Sequence, residues 1–364
     1  MTLTGIEPAG GRRSLLTVLK PLVGTPVNAV LTVIILWLLV TTVPVLFRWA
    51  VIDAIWRVDD PRVCVEQFGA CWAFVAAKAR LIIFGRYPFD EQWRPLLAMV
   101  LVLAALVVTA DWRQWRRPRW GRVLLAMWAI AIAVATGLMG GGVAGLVPVE
   151  IDRWSGLPLT LMLSVAGIFL ALILSVFLAL GRQSNLPVIR WLCIAYIELI
   201  RGVPLISILF MAALMLPVIL PSGFDISKIL RAQAAFVLFF AAYMAEVLRG
   251  GLQAIPRGQY EAAESIGLTY WEATTKVTLP QVFRLTIPSL VNVFIAAFKD
   301  TSLVVIISMH DLMGTTKAAI SDPAWSGVYI EGYAFTALIY FIFCSAISWY
   351  SQKLERHLKD GRRG

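Results

Sequence analysis

Charge is in short supply along these 364 residues: Asp, Glu, Lys and Arg make up 15 %, against about 25 % in an ordinary soluble domain. Histidine occurs twice and cysteine four times, scattered, which leaves little material for a zinc or haem centre and rules out a disulfide scaffold. No Gly-x-x-x-x-Gly-Lys-Ser/Thr phosphate loop occurs, so the chain carries no ATPase site of that kind. What fills the sequence is apolar: 59 % hydrophobic residues and a mean hydropathy of +0.79. Such a chain cannot cover a globule with polar surface, and it is too apolar to stay disordered. It belongs in a bilayer. The net charge of +10 then raises the question of which membrane face holds the basic residues; nucleic-acid binding would need them on one solvated surface.

A spanning helix needs about 20 mainly apolar residues. That window predicts eight spans, at 27–49, 95–110, 123–147, 160–180, 191–220, 232–248, 285–308 and 333–351. Trp49, Trp93, Trp112, Trp154, Trp191 and Trp349 fall at their ends, as interfacial anchors do. With the N-terminus inside, 20 of the 32 Lys and Arg residues fall on inner segments and 10 on outer ones, six of these in one long outer loop, 50–94. The excess places both termini in the cytoplasm. The basic tail with Lys353, Arg356, Lys359, Arg362 and Arg363 then meets anionic lipid. The long outer loop holds Cys64 and Cys71, either bridged or both free. Gly137, Gly141 and Gly145 suggest close helix packing in the third span, with a thin spot near the helix end as the alternative.

Because charge is scarce, its exceptions stand out. The segment 249–284 is the longest of the inner segments. Gly250 and Gly251 are expected to stop the preceding helix, a short helix starts near Gln259, Gly267 ends it, and Pro280 breaks the path before the next span. Such a helix–turn–helix on the membrane face suits a docking surface. Lys299 and Asp300, followed by Thr301 and Ser302, lie deep in the seventh span. They either line a substrate path, or form an internal ion pair or a helix break that fixes packing. Glu198 and Arg201, three residues apart, are expected to pair with each other, with a gating contact as the alternative. Glu246 and Arg249, also three apart, are expected to hold the 249–284 segment in place.

Glu261-Ala262-Ala263, then Gly267, Val277 and Leu279-Pro280, resemble the EAA loop of ATP-binding-cassette (ABC) importer permeases, with Val in place of the usual Ile. Ala242-Tyr243, Glu246, Arg249-Gly250-Gly251, Pro256, Lys299-Asp300-Thr301-Ser302-Leu303, and Glu198 with Arg201-Gly202 and Pro204-Leu205 look like the polar amino acid permease subfamily, HisM-like in type. The three N-terminal spans, with the Gly69-Ala70-Cys71-Trp72-Ala73-Phe74 loop, are similar to the longer permease of general L-amino acid transporters, the AapM and BztC type. The resemblance implies an all-α polytopic protein with a type I, MetI-like five-helix core over 155–364 and a three-helix extension over 1–154. It implies an ATPase pair coupled through Glu261, Ala262, Ala263, Gly267, Leu279 and Pro280, a second and different permease subunit, and a periplasmic amino acid-binding protein. This chain would bind no cofactor or metal itself, ATP-Mg being used by the partner ATPase. Two other classes stay in view. An ion-coupled secondary transporter acting alone would show paired broken helices in similar halves, and a membrane enzyme would show convergent acids, nucleophiles or metal ligands.

Overall fold

The computed structural model describes residues 24–66, 68–111, 113–114, 119–142, 145–221 and 226–360. Expectations placed on Trp112, on Arg12, Arg13, Lys20, Arg116 and Arg117, on the Lys359 side chain and on Arg362 and Arg363 lie outside them. The described residues are helical with no strand, carrying only two isolated bridges. In chain order the helices are α1 (Pro26–Phe47), α2 (Val63–Glu66), α3 (Trp72–Phe84), α4 (Trp93–Ala110), α5 (Trp120–Gly140), α6 (Gly156–Arg182), α7 (Pro187–Gly202), α8 (Leu205–Ile219), α9 (Lys228–Gln253), α10 (Arg257–Ser265), α11 (Leu279–Asp300), α12 (Leu312–Ile320) and α13 (Tyr329–Asp360).

Seven helical runs are long and apolar enough to cross a membrane, and a bent pair raises the number to eight. That pair corrects the expected fifth span: α7 and α8 meet at 102° instead of forming one helix across 191–220. Pro204 explains the break, since its ring drives the preceding residue out of the helical region, and Val203 is extended at φ −111°, ψ 135°. The glycine stripe in the third span is also corrected. Gly141 (φ 66°) and Gly145 (φ 78°) lie beyond the end of α5, and a Cβ on Gly137 would meet nothing within 4 Å.

The described chain divides into two compact units. The smaller takes in residues up to Phe74 together with Ala324–Glu331. Its helix α1 buries no residue. A disulfide joins Cys64 to Cys71, the Glu331 carboxylate accepts the Cys71 N–H at 2.9 Å, and Trp72 Nε1 donates to Ala50 O at 2.8 Å.

The larger unit runs over Val75–Pro323 and from Gly332 onward. In it, α4 and α5 pair, and the fully buried Arg94 donates from Nε to Leu138 O at 2.7 Å and from Nη1 to Val147 O at 2.9 Å. A cation there satisfies carbonyls that a helix C-terminus leaves open. The core proper is α6 against α9, with α7 and α11 packed beside α9. Small residues make this close. A Cβ on Gly167 would come within 2.9 Å of the Phe236 ring, and Ala232, Ala235, Ala241, Ala242 and Ala245 line the buried face of α9.

Helix α9 runs on through Gly250 and Gly251 to Gln253, which corrects the expected stop. Gly251 is there for its missing side chain, because a Cβ would lie 2.4 Å from Thr286 Cγ2 and 2.9 Å from Val282 Cγ1 on α11. Pro280 likewise does not break the path. It occupies the first turn of α11, directly after a π-helical turn over Ala273–Thr278 that shifts the hydrogen-bond register. Near the other end of α11, Asp311 caps α12 through Gly314 N at 2.9 Å and is fully buried. Thr160 Oγ1 accepts the Leu312 N–H, and Thr315 Oγ1 donates to Ile82 O. Burial pushes the Asp311 carboxyl up from 3.8 to about 6.

Two outcomes follow from this packing. Gly251→Ala should cost about 1–3 kcal/mol in equilibrium unfolding in detergent through overpacking, whereas Gly250→Ala, with open space around it, should be neutral or stabilising by up to about 1 kcal/mol. For Asp311, ionisation is harder in the folded state. Wild type should therefore lose up to about 3 kcal/mol relative to Asp311→Asn as pH rises from 4 to 6, with no further change above. Thermal unfolding of both proteins across that range is the check.

Candidate functional site

The polar segment after α9 folds as two helical pieces joined by a tight turn. Pro256 precedes α10, and α10 ends in a pair of bonds that only a residue able to turn left-handed can close: Leu268 N to Ala263 O at 3.1 Å and Gly267 N to Glu264 O at 2.9 Å, with Gly267 at φ 78°. Thr269 starts the next piece with a reciprocal cap, its hydroxyl accepting the Glu272 N–H while the Glu272 carboxylate accepts the Thr269 N–H. Lys276 donates to Glu272 at 2.7 Å. Gln281 Nε2 reaches back to Gln259 Oε1 at 3.0 Å, tying α10 to the start of α11. Tyr260 stays exposed, and partial desolvation of its hydroxyl raises the pKa.

The residues marked out in the sequence are not placed alike. Glu261, Ala262 and Gly267 are exposed together on the free side of α10, but Ala263 is 4 % exposed and faces its own chain. Its small side chain serves the inner packing of α10, so the outer contact falls to its neighbours. Leu279 is half-buried and Pro280 exposed at the head of α11. Beside Glu261 and Ala262 the segment exposes three large apolar residues that the motif does not include: Ile266 at 75 %, Tyr270 at 62 % and Trp271 at 61 %. Their signal in the sequence is the presence of such side chains within six positions of an otherwise polar stretch.

Two turns before α9 ends, Glu246 collects charges from three helices. Arg249 donates from Nε to both its carboxylate oxygens at 3.0 Å, Arg182 Nη1 donates at 3.1 Å, and Arg201 Nη1 stands at 3.9 Å. Arg182 also donates from Nη2 to Glu198 at 2.9 Å. The expected Glu198–Arg201 pair is thus replaced by a network, because Arg182, at the last residue of α6, lies within reach of both carboxylates. The expected Glu246–Arg249 pair is present. All five side chains keep contact with solvent, so each pair is worth about 1 kcal/mol or less.

Lys299 and Asp300 end α11, where the chain tightens into a 3-10 helix over Thr301–Ile307. Lys299 is exposed and Asp300 half-buried, and among the described residues neither makes an ion pair. Thr301 is fully buried and donates to Phe298 O at 2.8 Å, while Ser302 is half-buried. A groove of about 450 Å3, lined by Ile295 of α11 and by Phe341, Cys344, Ser345, Ser348, Trp349 and Gln352 of α13, runs between the two helices. Ile295 is four residues before Lys299 and shares its helix face.

Residues 180–360 match the family model described as the binding-protein-dependent transport system inner membrane component. The inner membrane amino-acid ABC transporter permease protein YhdY of Escherichia coli K12 is 44 % identical over 350 residues, covering 96 % of this chain and 94 % of that protein. The chain belongs to this family. The glutamate/glutamine/aspartate/asparagine transport system permease protein BztC of Rhodobacter capsulatus is 36 % identical over 400 residues, covering 93 % of this chain and 92 % of its own length. A solved structure described as an amino acid ABC transporter with histidines shares 32 % identity over 56 % of this chain and 92 % of its own, with a TM-score of 0.49. The family match takes in α7 to α13, and with them the charged network and the 249–284 segment of this inner membrane component. The two permease relatives, each covering more than nine-tenths of the chain, extend the similarity into the N-terminal helices.

Proposed function

We propose that this multi-pass inner membrane protein is the permease subunit of an ABC importer for L-amino acids, worked by ATP-Mg hydrolysis on a separate ATPase pair. The exposed helix–turn–helix of 249–284 carries the reading: Glu261, Ala262 and Gly267 beside Ile266, Tyr270 and Trp271 offer a polar and apolar surface on an element too short to do chemistry of its own. The permease relatives, named for amino-acid transport, support the substrate class. Both termini and the 249–284 segment are cytoplasmic in this reading, on the strength of the Lys and Arg distribution. Residues 155–364 form the transporting core and 1–154 its extension. A second, different permease subunit completes the pathway, and a periplasmic binding protein delivers the amino acid. No nucleic acid takes part; the remaining basic residues meet lipid.

The substrate path passes Lys299 and Asp300 at the end of the α11–α13 groove, where both charges are without an ion pair among the described residues and a zwitterion can satisfy both. Thr301, bonded to its own helix, shapes the backbone there, and Ser302 stands beside the path.

In vesicles holding the whole complex, Glu261→Arg and Gly267→Asp should each abolish ATP-dependent uptake while the subunit stays at normal levels in the membrane; undiminished uptake in both would remove the coupling role. Lys299→Met and Asp300→Asn should change the pattern of competition among acidic, polar and aliphatic amino acids, measured as inhibition of labelled uptake. An unchanged pattern and rate would take the pair out of the path.

A further inference from the structure

Helix α7 is held to the core in an unusual way. Of its sixteen residues only Ile197 is fully buried, with Tyr196 and Ile200 half-buried against the core, so apolar burial fixes it less firmly than it fixes α6. To these it adds polar attachments: Glu198 to Arg182, Arg201 to Glu246, and the Tyr196 hydroxyl to Leu238 O at 2.7 Å. Helix α6, by contrast, buries eleven of its own residues, against α9 and its other neighbours. At its far end α7 turns through 102° into α8, so a tilt of α7 swings α8 with it. Helix α9 passes directly into the 249–284 segment, with Arg249 four residues before its last residue. Glu246 therefore stands where the loosely held elbow meets the helix that carries the coupling segment.

We propose that Glu246 is a positioning residue for coupling: through Arg201 and Arg182 it makes the α7–α8 elbow follow α9, which rests on the coupling role proposed for 249–284. The cluster holds three arginines and two glutamates, so one cation is always in excess and the carboxylates can exchange partners without leaving a bare negative charge. Arg201, at 3.9 Å, is the loosest contact and the one that breaks first. Arg249 stays with Glu246 because both lie on one helix face, and the exchange is confined to the partners from α6 and α7.

The test uses the complete transporter with its ATPase pair and binding protein in vesicles, reading amino acid uptake and ATP hydrolysis together. Glu246→Gln should leave the ATPase subunits bound and hydrolysing at no less than half the normal rate while uptake per ATP falls at least ten-fold; Glu246→Asp should recover most of the ratio. Arg201→Gln, at an exposed side chain, should lower the ratio two- to five-fold and serves if the Glu246→Gln variant does not reach the membrane. A normal ratio in Arg201→Gln, or in Glu246→Gln where it assembles, overturns the proposal. So does loss of hydrolysis and of ATPase binding in step with uptake, which would make the residue a support for docking. Glu261→Arg in the same assay judges the underlying reading separately: if that variant transports normally, the coupling role of 249–284 fails whatever the Glu246 variants do.

Discussion

The larger unit depends on how closely α9 approaches its neighbours. In hydrocarbon, burial of apolar surface gives little net drive for helix association, so contact area and small residues decide which helices stay together. Gly167 lets α6 reach the Phe236 ring, Gly251 lets α11 reach the backbone of α9, and alanines carry the seam between. That packing makes α6, α9 and α11 one body. Whatever moves during transport is attached to this body by something weaker.

The weaker attachments are polar and gathered at one end. Individually, the ion pairs around Glu246 contribute about 1 kcal/mol or less, small enough to exchange on the time scale of a conformational step and numerous enough to set a position. The contrast between α6, buried along its length, and α7, held by side-chain charges, divides the structure into a frame and an arm. The polar segment 249–284 belongs to the frame, since α9 leads into it and one helical run from Tyr270 through α11 leads out of it. Force applied to that segment thus reaches α9 and α11 directly and the arm through side-chain contacts with α9: the Glu246 cluster, Tyr196 on Leu238 O and Arg231 on Ala213 O.

How much of this could be read in the sequence depends on whether the deciding partner was near in the chain. The turn at Gly267 was legible because Glu264, Ala263 and Leu268 close it locally. The short helix that carries Glu261, Ala262 and Ala263 was legible for the same reason. The continuity of α9 through Gly250 and Gly251 was not, since two glycines at a helix end read as a stop until Thr286 and Val282 are seen to need the space. Pro280 misled in the same direction: the π turn that accommodates it has no signature in local propensity. The partner of Glu198 proved to be Arg182, sixteen residues back on another helix, where a three-residue spacing had pointed to Arg201. The bend before Pro204 was visible in the Val203-Pro204 pair, but the long apolar run around it favoured an unbroken span.

Lys299 and Asp300 show what the few remaining charges at membrane depth have in common. Lys299 sits in the last turn of α11, where the helix dipole favours a cation, and it needs no other partner to be tolerated. Asp300 has no such help. The same helix end disfavours its carboxylate, it makes no ion pair among the described residues, and as the first flanking residue of the 3-10 segment it accepts no capping hydrogen bond from its side chain. The reading of this pair as an internal ion bridge loses its basis with that geometry. The pair instead marks the place where α11 gives way to the 3-10 helix over Thr301–Ile307.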